Sequence, residues 1–225
     1  MKTSTALTLL LAATLSACSS SPPAPPWQRN AQASAERAVQ AYLSGQDRGA
    51  DLEWQRAQQE LQSTGRPELL ARLALLRCAA EVASLQAQGC PAFAPWRTDA
   101  PEPDLAYADY LAGQLSDEKW LLLPSVQRIA LQNPQQLPPL ADPLPGLLAL
   151  AMRVRSGAAQ PGPMGAVMDA AIDAAIDTAA AQGWRRPLLA WLLLRQQRAR
   201  ASGDVALAER LQRRLDVVQA KPGAQ

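Results

Sequence analysis

Three aspartates, Asp169, Asp173 and Asp177, recur every four residues in the segment MDAAIDAAIDTAAAQG. On a helix that spacing projects all three from one side. Carboxylates so placed can do acid–base work or hold a hard cation. Like charges at this spacing destabilise a helix slightly, so the simpler role is a solvated face or a partner for an arginine-rich neighbour. Such a neighbour exists. Residues 153–225 carry 11 basic and 6 acidic groups, whereas residues 1–152 carry 11 basic and 14 acidic. Arg195, Arg198, Arg200, Arg210, Arg213 and Arg214 concentrate near the C-terminus. Of these, Arg195, Arg198, Arg210, Arg213 and Arg214 form the candidate interaction patch, suited to an acidic protein surface, a phosphate headgroup or an acidic glycan. The alternative is a solubilising face paired with the aspartates.

The chain has no histidine among its 225 residues. That removes Ser-His-Asp and Cys-His catalysis and any His-ligated metal site. The three cysteines, Cys18, Cys78 and Cys90, fall short of the usual four-ligand zinc cage. The span from Cys78 to Cys90 is far longer than the Cys-X-X-Cys that depresses a thiol pKa. No catalytic residue, metal or cofactor is assigned. Trp27, Trp96 and Trp120 lie in or near loop-like segments, where tryptophan can stack on sugars; Trp54, Trp184 and Trp191 fall on apolar helical faces and read as core.

The N-terminus carries a different chemistry. Lys2 precedes an apolar run, Ala6 to Leu15, about half the length that a membrane-spanning helix needs. Residues 1–17 therefore read as a signal peptide. Leu15-Ser16-Ala17-Cys18 resembles the lipobox of bacterial lipoprotein precursors. The resemblance implies a diacylglyceryl group on the Cys18 thiol, cleavage before Cys18, and acylation of the new amine with a fatty acid such as palmitate. One acyl chain binds a membrane marginally, whereas two or more anchor it stably. An ordinary secreted protein, with Cys18 incidental, is the alternative. Ser19 takes the place of the aspartate that retains enteric lipoproteins in the inner membrane, which implies outer-membrane sorting and a body facing the periplasm. Nucleic acid is excluded as a partner by that location.

With Cys18 taken by lipid, the cysteine arithmetic closes on a Cys78–Cys90 disulfide in a compartment that permits one. Residues 18–30 follow as lipidated cysteine and tether: Pro22, Pro23, Pro25 and Pro26 favour polyproline II and stand the body off the membrane.

Residues 31–225 must position everything else, and they read as a single α-helical domain. Ala35, Val39, Tyr42 and Leu43 make one face, Gly45 and Gly49 bracket a turn, and Leu52, Trp54, Ala57 and Leu61 make the next. A third helix opens at Pro67 and carries Cys78. Pro91–Pro103 and Pro134–Pro145 read as proline-rich loops around helices near 104–114 and 125–132. Helices follow near 147–155, 165–182, 187–202 and 204–220, the last with a Leu207, Leu211, Leu215, Val218 stripe. The fold class is all-α: a helical bundle or stacked helical hairpins. Gly45, Ala50, Trp54 and Ala57 resemble the second half of a tetratricopeptide repeat, and Gly203 with Ala208 repeats its first two positions. Small residues at helix crossings give the same matches in any alanine-rich bundle.

The leading functional expectation is a lipid-anchored envelope lipoprotein that binds, scaffolds or assembles other proteins without enzymatic activity; a secretion-system pilotin is one version. The rival is a peptidoglycan-active enzyme similar to lytic transglycosylases, which can run on a single glutamate. The Glu-Ser and Gly-Leu-Met-Gln motifs of that family are missing, and Glu209 is the one glutamate after Glu118.

Overall fold

A computed structural model describes residues 23–86, 89–138, 140–157 and 163–220, with side chains from Gly165 in the last segment. Cys18, its lipobox and the signal peptide lie outside the described residues. The described chain is all-helical. In order it forms α1 (Pro26–Leu43), α2 (Asp47–Gln62), α3 (Pro67–Ala83), a 3₁₀ segment (Pro91–Asp99), α4 (Glu102–Ala112), a 3₁₀ turn (Trp120–Leu122), α5 (Ser125–Gln132), α6 (Pro143–Gly157), α7 (Pro163–Ala181), α8 (Arg185–Ala201) and α9 (Val205–Gln219).

The first helix begins at Pro26, so residues 26–30 belong to the folded body and not to the tether expected there. Proline suits the first helical position, because its missing N–H would have no intrahelical acceptor. Trp27 thus sits on the first turn of α1, partly buried against Leu61 and Leu70. Gly49 lies inside the first turn of α2, leaving Gly45 alone to make the reversal. The proline-rich stretch after Cys90 is a 3₁₀ helix whose Phe93 is buried in the main core.

Four helix ends share one geometry. After α1, α4, α7 and α8 a glycine takes a left-handed conformation, at Gly45, Gly113, Gly183 and Gly203. The next amide reaches back to a helix carbonyl five residues earlier: Gln46 to Ala41, Gln114 to Asp109, Trp184 to Ala179, Asp204 to Ala199. This six-to-one closure reverses the chain tightly, and after α1, α7 and α8 it makes helical hairpins. After α3 the same role falls to Leu85, with φ of 57°, and Gln86 N–H donates to Glu81 O. A leucine in that conformation is strained. Its side chain packs on the core, which compensates.

The hairpins close on each other. α1 packs on α2 and α3, α3 on α6, α6 on α7, α7 on α8, and α8 meets both α9 and α1. One apolar cluster joins α3 to α9, with Trp191 of α8 fully enclosed. The Trp191 indole N–H donates to Ala83 O at the end of α3 (3.1 Å). Trp184 donates to Gln40 Oε1 (2.8 Å), tying the start of α8 to α1. Arg186 completes this seam by donating to Tyr42 O (2.8 Å), pairing with Asp47 and lying 4.3 Å from the Tyr42 ring centroid. α8 is thus central, packed on α7, α9 and α1, although Leu193 is exposed. Ala50, Trp54 and Ala57 are buried on α2 facing α1, whereas Leu52 points outward. No helix among the described residues is long and apolar enough to cross a membrane.

Candidate functional site

The cysteines settle first. Cys78 is buried within α3, and Cys90 precedes the 3₁₀ segment; the two form a disulfide with Cα atoms 5.5 Å apart. The bridge spans the turn through Leu85 and Gly89 and fastens the Phe93 segment to α3. Its chemistry is that of a covalent staple.

The aspartate stripe meets the arginines across the α7–α8 pair. Arg198 Nε donates to Asp169 Oδ1 (2.6 Å), and Arg195 Nε donates to Asp173 Oδ1 (2.9 Å). Arg195 Nη1 also lies 3.3 Å from Asp169. Arg198 reaches Gly165 O as well (3.3 Å), near the start of α7. Asp177 stands outside this ladder, exposed. The carboxylates therefore neutralise guanidinia on the adjacent helix. Among the described residues no group of three or more His, Cys, Asp and Glu side chains is placed to hold a metal ion.

This pairing divides the expected patch. Arg195 and Arg198 are neutralised by α7 and offer no open cationic surface, which corrects the reading of five arginines as one site. The spacing on α8 that made them neighbours of the patch is the same spacing that aims them at the aspartates. Arg210, Arg213 and Arg214 are different. α9 buries Ala208, Leu211 and Leu215 against α8, so these arginines fall on its outward side and are exposed. No carboxylate among the described residues lies within 4.0 Å of them. Val217, 77% exposed, lies on the same outward side. Asp204 caps α9 by accepting from Leu207 N–H (2.9 Å), which fixes where the helix starts and hence which residues face out. The candidate site is this basic strip with an apolar residue at its end.

Sequence reasoning missed a second feature. A cavity of about 560 Å³ opens where α4, α5 and α6 converge, lined by Tyr110, Trp120, Leu131, Met152 and Arg153. Arg153 reaches Asn133 O through Nη2 (3.4 Å), while its Nη1 is fully buried with no hydrogen-bond partner. Burial pushes the Arg153 guanidinium below its ordinary pKa, and burial pushes the Tyr110 phenol well above its own. The sequence did hold a signal: Arg153 interrupts the apolar run LLALAM, where a cation must find a reason to be. Trp120, expected near a loop, sits in the 3₁₀ turn at this cavity, and Trp96 lies in the 3₁₀ segment against α3. The two tryptophans therefore do not form one sugar-stacking platform.

No protein-family model, no curated protein and no solved structure matches the chain.

Proposed function

We propose that the chain is a lipid-anchored lipoprotein of the bacterial outer membrane whose helical body faces the periplasm and binds or scaffolds another envelope protein, without enzymatic activity. The lipobox resemblance at Leu15-Ser16-Ala17-Cys18 supports the anchor, and the tether ahead of Pro26 supports a body held off the membrane surface. The observation that carries the binding role is the α9 strip. Arg210, Arg213 and Arg214 face outward from α9 with no carboxylate among the described residues within 4.0 Å, while Arg195 and Arg198 are paired with the α7 aspartates. An acidic partner surface with an apolar contact for Val217 complements it. Rim charges of this kind act mainly on association rate and its salt dependence. A photo-crosslinking residue at position 213 in intact cells tests the reading. A discrete adduct is expected, lost when Arg210 and Arg214 are both changed to Glu. No adduct, or one indifferent to charge reversal, contradicts it, as does cleavage of glycan strands by the purified chain.

A further inference from the structure

The cavity at the α4–α5–α6 end stands apart from the α9 strip and has the make-up of a ligand site. Its volume of about 560 Å³ falls within the ~300–1,000 Å³ of small-molecule pockets. Trp120, Leu131 and Met152 supply an apolar wall. A buried donor without an acceptor is costly, and Nη1 of the half-buried Arg153 has no hydrogen-bond partner among the described residues. Tyr110 lines the same cavity, close enough for its phenol to interact electrostatically with Arg153. Asp117, exposed on the lining, does not come within 4.0 Å of the guanidinium, so the charge is uncompensated. Leu131 on the lining is 45% exposed, so the apolar wall reaches solvent at the mouth of the cavity.

We propose that this cavity binds a single-headed anionic amphiphile. The carboxylate or phosphate head pairs with Arg153 Nη1, and the chain lies against Trp120, Leu131 and Met152. The complex offsets the cost of enclosing Nη1, because the head supplies it with an acceptor. A neutral amphiphile of the same length gains the apolar contact alone. The assignment is of binding alone.

The full-length product purified from cells tests this, held in phosphatidylcholine nanodiscs, or in buffer if it purifies without detergent. Diazirine-bearing dodecanoate is the probe, diazirine-bearing dodecanol the neutral control, and dodecanoate and dodecyl phosphate the competitors. The carboxylate probe is expected to label peptides carrying Trp120, Leu131 or Met152, and at least about tenfold more strongly than the alcohol. The better competitor distinguishes a carboxylate source from a phosphate headgroup. Arg153→Gln is expected to abolish that preference and Arg153→Lys to keep most of it. Leu131→Asp changes a half-exposed side chain, leaves Arg153 in place and is expected to weaken labelling by a similar factor. Equal labelling by acid and alcohol, labelling elsewhere on the chain, a preference that survives Arg153→Gln, or labelling unchanged by Leu131→Asp overturns the proposal.

Discussion

Replacing Cys90 by alanine removes the staple while leaving Cys78 as a small buried thiol, which behaves as an ordinary core residue. Cys90 is the better choice of the two because it is partly exposed, whereas Cys78 is 1% exposed and its truncation would also open a void. The bridged residues are 12 apart. In the chain-entropy description a loop of that size costs the unfolded chain about 3 kcal/mol of freedom. For a body of this size, about 3 kcal/mol corresponds to a fall of roughly 6–12 °C in Tm. Urea unfolding of the oxidised wild type, the reduced wild type and Cys90→Ala, followed by tryptophan fluorescence, measures it. The reduced protein and the variant should coincide and sit about 3 kcal/mol below the oxidised form. A difference below about 0.5 kcal/mol would show that the loop is held by packing alone and refute the entropic reasoning.

Other expectations rest on single contacts. Trp191→Phe leaves Ala83 O without its donor inside the core and should cost about 1–3 kcal/mol. Trp54→Phe, which removes a buried indole N–H that has no acceptor, should cost distinctly less in the same urea assay. A double-mutant cycle on Asp169→Asn and Arg198→Gln should give a coupling of about 1 kcal/mol or less, since both groups are partly exposed, and it should shrink in salt. Tyr107 and Tyr110 are held neutral by burial, with their ionisation pushed well above the usual phenol range. A raised folded-state value stabilises the fold fully below the unfolded phenol value near ~10 and less as pH rises beyond it. Stability should therefore fall above about pH 10, with these phenols ionising, by absorbance, only as the chain unfolds.

Helical periodicity made most of the architecture legible, and the errors have identifiable causes. Helix α5 was expected at residues 125–132 and lies there, because Pro124 and the loop after Gln132 bound it on both sides. The sequence places Pro26 in a polyproline tether, whereas it opens α1; a proline's effect depends on whether its N–H would have been used, which the fold decides. The stretch from Pro91 to Asp99 shows the same ambiguity, since prolines with a buried Phe93 suit a 3₁₀ helix as well as a loop. The aspartate stripe and the arginine cluster are both visible in the sequence, and the structure joins Asp169 and Asp173 to Arg195 and Arg198 across the α7–α8 pair. What composition could not divide was the arginine set. Arg195 and Arg198 differ from Arg210, Arg213 and Arg214 only in which helix lies opposite. Arg153 is visible as a cation ending an apolar run, but the cavity around it is assembled from three helices and a 3₁₀ turn that are separated along the chain.

The intact mass of the protein isolated from bacterial membranes tests the central claim most directly. The account predicts a chain that begins at Cys18, heavier than its 208 residues by a thioether-linked diacylglyceryl group and an amide-linked acyl chain, and lighter by two hydrogens for the Cys78–Cys90 bond. A chain that retains Met1, or one whose Cys18 is unmodified, would contradict it.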